Sequence, residues 1–213
     1  MTERLRDLAD KFGTDKGPYC PVYESYFAAS REKPIRLFEI GIGGYADPSA
    51  GGASLKMWKS YFPKGQIFGF DLYDKSAHRE ERIATFQGDQ TNAALLNYIV
   101  DQIGPVDIIV DDGSHVSAHL IASFEILFPR LSPGGLYVVE DIGTSYWAEY
   151  GGSADLNDPS TSLNYFRRGV HDINVVYHRG GLKPRPSFEG VEWLHFYQNL
   201  IVIKKAGSES QIA

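Results

Sequence analysis

The alternation of short apolar runs with helix-length segments constrains the fold of this chain more than any other feature. From Arg36 onward, β-type runs such as RLFEIGIGG, GQIFGFDLYD and VDIIVDDGSH alternate with segments such as ASLKMWKSYF and VSAHLIASFEILFPRL. This pattern is typical of a parallel sheet covered by helices. Two final runs, VEWLHFY and NLIVIKKA, are joined by Gln198 and Asn199, the length of a tight hairpin. We therefore predict an α/β fold with a Rossmann-like, doubly wound sheet, mostly parallel, that ends in a C-terminal antiparallel hairpin.

Two segments differ from this alternating pattern. Residues 1–35 show helix-like apolar spacing, which predicts an N-terminal helical cap. Residues 36–213 then form one domain, since a chain of 213 residues is long enough for one α/β domain and short for two. Within it, residues 142–170 are rich in Gly, Ser, Asn, Asp and aromatic side chains, which indicates a functional insertion or lid. The last six residues or so are typical of a disordered tail.

Charge and composition exclude several classes of partner. The formal net charge is −6 and the chain has no basic run, which argues against a nucleic-acid surface. No apolar run approaches the roughly 20 residues that a membrane helix needs, so a membrane role is not expected. The single cysteine, Cys20, and the lack of a leader-like N-terminus favour a reducing, cytoplasmic location.

Three predicted strand tips carry residues suited to a nucleoside cofactor. The first strand runs from Phe38 through Glu39 into glycines at Gly41 and Gly43, which allow a tight turn close to a ligand. Alone, such glycines fit a simple turn as well. The second tip places Asp71 where it can accept hydrogen bonds from ribose hydroxyls.

The third tip places Asp89 near an adenine amino group, and Gln90 follows it. Each acid alone could cap a helix or a turn, but three such tips in order favour a cofactor site. The Glu-Ile-Gly-Ile-Gly form and the terminal hairpin favour S-adenosylmethionine (SAM) over NAD. Asp111, at the fourth tip, is a further predicted cofactor contact.

Acidic residues also follow the fourth and fifth strands. Asp111 and Asp112 end one run and Glu140 and Asp141 end the next, and parallel strands bring such tips to one edge. Carboxylates concentrated in this way demand a cation, and oxygen ligands suit Mg²⁺ or another hard divalent ion. His115 is the candidate general base, since an imidazole titrates near neutrality. The alternative for His115 is a helix-start residue that donates to a nearby carbonyl.

The aromatic residues after these acids are candidates for an acceptor pocket. Tyr146, Trp147 and Tyr150 lie in the polar insertion and could line a site for a sugar or an aromatic ring. Core packing is the alternative, as for most aromatic side chains.

The motifs taken together resemble the metal-dependent sugar O-methyltransferases of macrolide biosynthesis, of the mycinamicin and demethylmacrocin type. The resemblance covers nearly the whole catalytic domain. It rests on LADKFGTDKG, PVYESYF, EIGIGG, GQIFGFDLYDKS, GDQ, IIVDDGSHVSAH, LFPRLSPGGLYVVEDIGTSYW and LIVIKK.

This resemblance implies a SAM-dependent methyltransferase domain with Mg²⁺ held at Asp112, Glu140 and Asp141, and with His115 as general base. It further implies SAM contacts at Gly41, Asp71 and Asp89, and a segment that closes over SAM at Thr14, Asp15 and Lys16. A homo-oligomer, a dimer or a tetramer, is implied as well. Some relatives carry a large domain before the catalytic one, and we expect its acceptor contacts to be absent here.

The leading hypothesis is thus an enzyme that uses SAM and Mg²⁺ to methylate a hydroxyl of a sugar, on a macrolide or another glycosylated natural product. One alternative keeps SAM and metal but takes a catechol or another small phenol as acceptor. Another is a SAM-binding protein that no longer methylates, since fold does not fix function.

Overall fold

The computed structural model describes residues 3–208, and residues 209–213 of the predicted tail lie outside this range. The chain divides into two compact units, Met1–Asp89 and Gln90–Ala213. Among residues 3–208, the first unit contains three strands and the second unit contains four.

The first unit combines parallel strands with three helices. Its strands are β1 (Arg36–Ile40), β2 (Gln66–Asp71) and β3 (Ile83–Gln87), and its helices are α1 (Leu5–Phe12), α2 (Cys20–Phe27) and α3 (Ala53–Tyr61). The strand order is β3-β2-β1, with β2 parallel to both neighbours. Short 3₁₀ turns cover Gly17–Tyr19, Ala28–Ser30 and Ser76–His78.

The N-terminal helices of the first unit pack on α3. Leu5 and Leu8 form the buried stripe of α1, as the helical spacing predicts. From α2, the rings of Tyr23 and Phe27 lie 5.1 and 5.8 Å from that of Trp58. Helices α1 and α2 thus lie within residues 1–35, and the predicted division into a helical cap and a domain at residue 35 stays a prediction.

The second unit contains both parallel and antiparallel strands. Its strands are β4 (Val106–Asp111), β5 (Leu131–Glu140), β6 (Val191–Tyr197) and β7 (Leu200–Lys205). Its helices are α4 (Ala93–Ile103), α5 (Ser117–Leu127), α6 (Ser162–Arg167) and α7 (Gly169–Asn174), with 3₁₀ turns at Phe128–Arg130, Ile142–Tyr146, Ala148–Tyr150, Val175–Tyr177 and Pro186–Phe188.

The strand order in this unit is β4-β5-β7-β6. Strand β4 is parallel to β5, while β7 is antiparallel to both β5 and β6. Asn199 has a φ of 62°, the left-handed conformation that the tight turn of the β6–β7 hairpin requires. The predicted fold class, mostly parallel with a C-terminal antiparallel hairpin, is confirmed.

Phe124 of α5 lies at the centre of the aromatic core of the second unit. Its ring centroid is 4.9 to 5.3 Å from those of four other side chains: Phe128, Tyr137, Phe166 and Phe188. Phe166 belongs to α6, inside the segment 142–170. This part of the predicted insertion therefore contributes to the core, and its six-residue helix is too short to show a helical period in the sequence.

None of the helices in the described part of the chain is long and apolar enough to cross a membrane.

Candidate functional site

The glycine turn after β1 lies next to the tip of β2. Gly41 and Gly43 have φ values of 86° and 78°, which L side chains rarely adopt. The backbone N–H of Gly41 donates to the carbonyl of Phe70 over 2.8 Å, so the two tips are joined. The sequence-predicted turn and the carboxylate of Asp71 thus lie in one place.

Asp71 is oriented by backbone amides on both of its oxygens. Oδ2 accepts from the N–H of Ile42 over 2.8 Å, and Oδ1 accepts from the N–H of Tyr73 over 2.9 Å. Each oxygen retains a second acceptor site, which suits paired hydroxyls such as those of a ribose. The carbonyl of Asp71 also accepts from the N–H of Gly88, just before the exposed Asp89.

Glu39 forms an ion pair with Lys16 inside the first unit. The Nζ–Oε1 distance is 3.2 Å, and the two side chains are 1% and 0% exposed. Ser54 and Trp58 also donate to this carboxylate, over 2.8 and 3.2 Å. Glu39 and Lys16 therefore hold this region together, and their direct contact with a cofactor stays a prediction, as does that of Thr14.

The polar loop 45–52 after the glycine turn is fastened by a buried ammonium group. Lys75 is 1% exposed and donates to the carbonyls of Asp47 and Ala50, over 2.7 and 3.1 Å. His78 Nε2 lies 3.1 Å from the same carbonyl of Ala50. Sequence reasoning missed this clamp, since a lysine and a histidine in a loop carry no signal of their own.

In the second unit, Asp112, His115 and Asp141 come together. One ligand atom from each lies within 4.8 Å of the others, and all three side chains are half-buried. His115 Nε2 is 3.9 Å from Asp141 Oδ2. The predicted convergence of acids and imidazole is thus present within this unit.

Glu140 lies beside this group but is not in it, among the residues that the structure describes. Its side chain is 2% exposed, at the last residue of β5, which pairs with Leu200 of β7. Its assignment as a metal ligand stays a prediction.

Two of the three grouped residues have left-handed backbone. His115 has a φ of 58° and Asp141 a φ of 54°, a conformation that costs free energy in a residue with a Cβ atom. Asp141 is held by Asn199, whose Nδ2 donates to Asp141 Oδ1 over 2.6 Å. Sequence reasoning placed Asn199 in the hairpin turn and missed this contact.

The donor set of the group fits a hard or borderline divalent cation. Its carboxylate oxygens suit Mg²⁺ and related hard ions better than sulfur-binding metals, and the imidazole of His115 lies beside them. His115 Nδ1 is buried and has no hydrogen-bond partner among the described residues, which is uncommon for a buried polar atom. This unpartnered nitrogen is consistent with a bound cation close to the imidazole ring.

Asp111 and Gln90 lie behind this group, inside the unit. Asp111 is fully buried and accepts from Ser123, from Tyr137 over 2.9 Å and from Gln90 over 3.3 Å. Burial raises the pKa of the Asp111 carboxyl to about 6, although its hydrogen bonds oppose the rise. In the structure, these two side chains hold each other in place by hydrogen bonding. Their direct contact with a cofactor stays a prediction.

The predicted acceptor aromatics follow Asp141. Tyr146 and Trp147 are each 53% exposed, so neither is a core residue. The rings of Trp147 and Tyr150 are 5.9 Å apart. Tyr146 also lines a cavity of about 130 Å³ together with Asn164 and Arg167. Their role in acceptor binding stays a prediction.

Comparison with known proteins identifies several relatives. The chain is 46% identical over 206 residues to an 8-demethyl-8-alpha-L-rhamnosyl tetracenomycin-C 2'-O-methyltransferase of Streptomyces olivaceus, covering 94% of this chain and 54% of the relative. It is 41% identical over 212 residues to mycinamicin VI 2''-O-methyltransferase of Micromonospora griseorubida, covering 96% and 53%. The chain thus spans about half the length of these curated relatives.

The solved structure of the MycE methyltransferase of the mycinamycin pathway, in complex with Mg and SAH, superimposes with a TM-score of 0.93 at 40% identity. The match covers 99% of this chain and 56% of that one. No protein-family model matches the chain. These likenesses confirm the predicted resemblance to macrolide sugar O-methyltransferases and the predicted fold.

Proposed function

We propose that this protein transfers the methyl group of SAM to a hydroxyl of a sugar on a glycosylated natural product, with the help of Mg²⁺ or another hard divalent cation. The observation that carries the proposal is the grouping of Asp112, His115 and Asp141 within 4.8 Å. Support comes from relatives that are named as sugar O-methyltransferases and from MycE, which was solved with Mg and SAH.

In this proposal, the first unit binds the nucleoside part of SAM. The glycine turn at Gly41 and Gly43 brings backbone close to the ligand, and Asp71 accepts from the ribose hydroxyls. The two backbone amides that donate to Asp71 hold its carboxylate in a fixed orientation. Asp89 accepts from the adenine amino group.

Asp112, Glu140 and Asp141 would hold the cation in the second unit. A divalent cation, when bound, supplies positive charge that makes a nearby hydroxyl more acidic. His115 accepts the hydroxyl proton at Nε2 while the oxygen takes the methyl group. The sulfonium of SAM leaves as a neutral thioether, so no residue has to protonate the leaving group.

Tyr146, Trp147 and Tyr150 would line the acceptor side. The exposed rings of Tyr146 and Trp147 suit the apolar face of a sugar, and the half-buried Tyr150 lies beside Trp147. We further infer a cytoplasmic homo-oligomer, a dimer or a tetramer, which acts on small molecules and neither on nucleic acid nor at a membrane.

The test is a methyl-transfer assay against glycosylated polyketides and catechols, with Mg²⁺ or with excess EDTA. We expect turnover of a glycoside that EDTA abolishes. Turnover of a catechol alone would show that the acceptor is a phenol and not a sugar. SAM binding without turnover of any acceptor would favour a non-methylating protein, and no SAM binding would refute the proposal.

His115 is tested in the same assay. His115→Ala should lower the rate about 10²- to 10⁴-fold, the usual contribution of a general base. His171→Ala, an exposed histidine of α7, is the matched control and should leave the rate unchanged. Equal rates for both variants and the wild type would remove His115 from the mechanism.

A further inference from the structure

We propose that Asp111, acting through the side-chain amide of Gln90, is a positioning residue that fixes the loop 112–116 carrying Asp112 and His115. This inference rests on the proposed function, since it explains how the candidate metal and base residues are kept in place. It gives a role to two buried polar side chains that the proposed mechanism does not use.

The loop needs external support because of its backbone conformation. His115 has a φ of 58°, in the left-handed region that a residue with a Cβ atom avoids. Such a conformation persists only where surrounding contacts determine it. The structure shows those contacts on both sides of His115.

Side chains bind the backbone groups that flank the strained residue. The N–H of Ser114 donates to Gln90 Oε1 over 2.8 Å, and Thr144 Oγ1 donates to the carbonyl of His115 over 2.8 Å. Ser114 Oγ lies 3.4 Å from the N–H of Val116 and 2.8 Å from His119 Nδ1. The bond from Ser114 to Gln90 is the one that reaches into the buried part of the unit.

Asp111 determines which way the Gln90 amide faces. Gln90 Nε2 lies 3.3 Å from Asp111 Oδ1 and 3.3 Å from Ser123 Oγ. Asp111 Oδ1 accepts from this nitrogen, which holds the NH₂ side of the amide towards Asp111. The oxygen of Gln90 is thereby directed to the N–H of Ser114, and a flipped amide would lose both interactions.

Asp111 is itself fixed from two further elements. Tyr137 of β5 donates to Oδ2 over 2.9 Å, and Ser123 of α5 donates to the same oxygen. Asp111 is 0% exposed and Gln90 is 7% exposed, so their effect on the site passes through the loop.

The first experiment measures Mg²⁺ binding by calorimetry in the presence of SAH. Gln90→Leu should weaken Mg²⁺ binding by about 10- to 100-fold, the usual effect of losing a group that orients metal ligands. Gln102→Leu, an exposed glutamine on α4, is the matched control and should bind as the wild type does. Weaker SAH binding with unchanged Mg²⁺ binding would overturn the proposal in favour of a direct cofactor contact.

Exchange of the two side-chain types separates positioning from general stability. Gln90→Glu alone places two carboxylates against each other and should impair Mg²⁺ binding. Gln90→Glu combined with Asp111→Asn restores one donor and one acceptor between the two side chains, and should bring Mg²⁺ affinity back to within about threefold of wild type. No recovery in a double variant that melts like the wild type would contradict the proposal.

Amide hydrogen exchange tests the inference without metal or acceptor. The N–H of Ser114 should be protected in the wild type and exchange at least about tenfold faster in Gln90→Leu. If the wild type shows this protection but binds no Mg²⁺, the metal in the proposed function fails while the positioning role stands. If Ser114 exchanges equally in both proteins, the positioning role fails whatever the enzyme does.

Discussion

The two units of this molecule treat their buried and half-buried charges differently. In the first unit, Glu39 is neutralised within the protein by Lys16, and Asp71 is held by two backbone amides. In the second unit, Asp112 and Asp141 converge with His115, whose Nδ1 is buried without a partner among the described residues. In the first unit these charges are compensated within the protein, which suits an uncharged, hydroxyl-rich ligand. The second unit concentrates negative charge, which suits a cation.

This difference indicates which parts of the candidate site are formed before a ligand binds. Asp71 and the glycine turn are fixed by the backbone of β1 and β2, so a nucleoside would meet a preorganised surface. The second unit maintains strained backbone at His115 and Asp141, and strain of this kind is typical of functional positions. The predictions below test whether the two units differ in this way, in order of decreasing effect.

Removal of the acids in the second unit should have the largest effect. Asp112→Asn combined with Asp141→Asn should lower methyl transfer by about 10⁴-fold or more, because a bound cation contributes several kcal/mol to such reactions. SAH binding, measured by calorimetry, should change little, since the residues that we propose to bind the nucleoside lie in the first unit. Loss of SAH binding in this variant would contradict the proposal that the first unit binds the nucleoside and the second unit binds the cation.

Loss of the ion pair in the first unit should affect stability. Lys16→Met leaves the buried Glu39 charge without its partner and should cost about 3–5 kcal/mol of unfolding free energy in urea. The double variant Lys16→Met with Glu39→Gln removes both charges and should recover much of this loss. Equal stability of the single variant and the wild type would show that Glu39 is not neutralised by Lys16.

Asp71 should affect SAM binding more than the stability of the fold. Asp71→Asn removes the carboxylate that we propose to accept from the ribose hydroxyls, and should weaken SAM binding about 10- to 100-fold, as hydrogen bonds to charged groups contribute about 1.5–3 kcal/mol. Asp74→Asn, at an exposed neighbour whose carboxylate accepts hydrogen bonds from Ser76, is the control. A rise in the SAM dissociation constant with both variants would point to net charge rather than to this contact.

The smallest predicted effect concerns two tyrosines, one in each unit, which should respond to pH in the same way. Tyr61 donates to Glu24 in the first unit, and Tyr165 donates to Glu125 in the second, over 2.9 and 2.8 Å. Burial raises the pKa of both hydroxyls above the ordinary value of 10.0, and so the folded state holds these protons longer than the unfolded state does.

The stabilisation of the folded state by these two protonated hydroxyls is complete below pH 10. It is lost as the pH rises towards the pKa of each tyrosine in the folded state. Between pH 10 and pH 11.5, the unfolding free energy of the wild type should fall more steeply than that of Tyr61→Phe or Tyr165→Phe, by about 1 kcal/mol per pH unit for each. Parallel curves for all three proteins would contradict these pKa shifts.

The sequence predicts those features that depend on local patterns. Strand ends follow from apolar runs that stop at Asp71 or Asp111, and the hairpin follows from Gln198 and Asn199. The convergence of Asp112 and Asp141 follows from the rule that parallel strand tips share an edge of the sheet. Spacing along the chain is sufficient for each of these inferences.

The sequence does not predict contacts that only tertiary packing creates. Lys16 and Glu39 are 23 positions apart and lie in segments with no visible relation. The same holds for Asn199, whose reach to Asp141 depends on the antiparallel pairing of β7 with β5. The core position of α6 depends on Phe124, and the six residues of this helix are too few to reveal a buried face.

The most direct test of this account is calorimetric titration of Mg²⁺ into the wild-type protein saturated with SAH, with the Asp112→Asn variant as control. The account predicts one Mg²⁺ site in the wild type, and binding weakened by about 100-fold or more in the variant, since the lost carboxylate is a direct ligand of a hard cation. Equal Mg²⁺ affinity in the two proteins, or none in the wild type, would contradict a cation site at Asp112, Glu140 and Asp141.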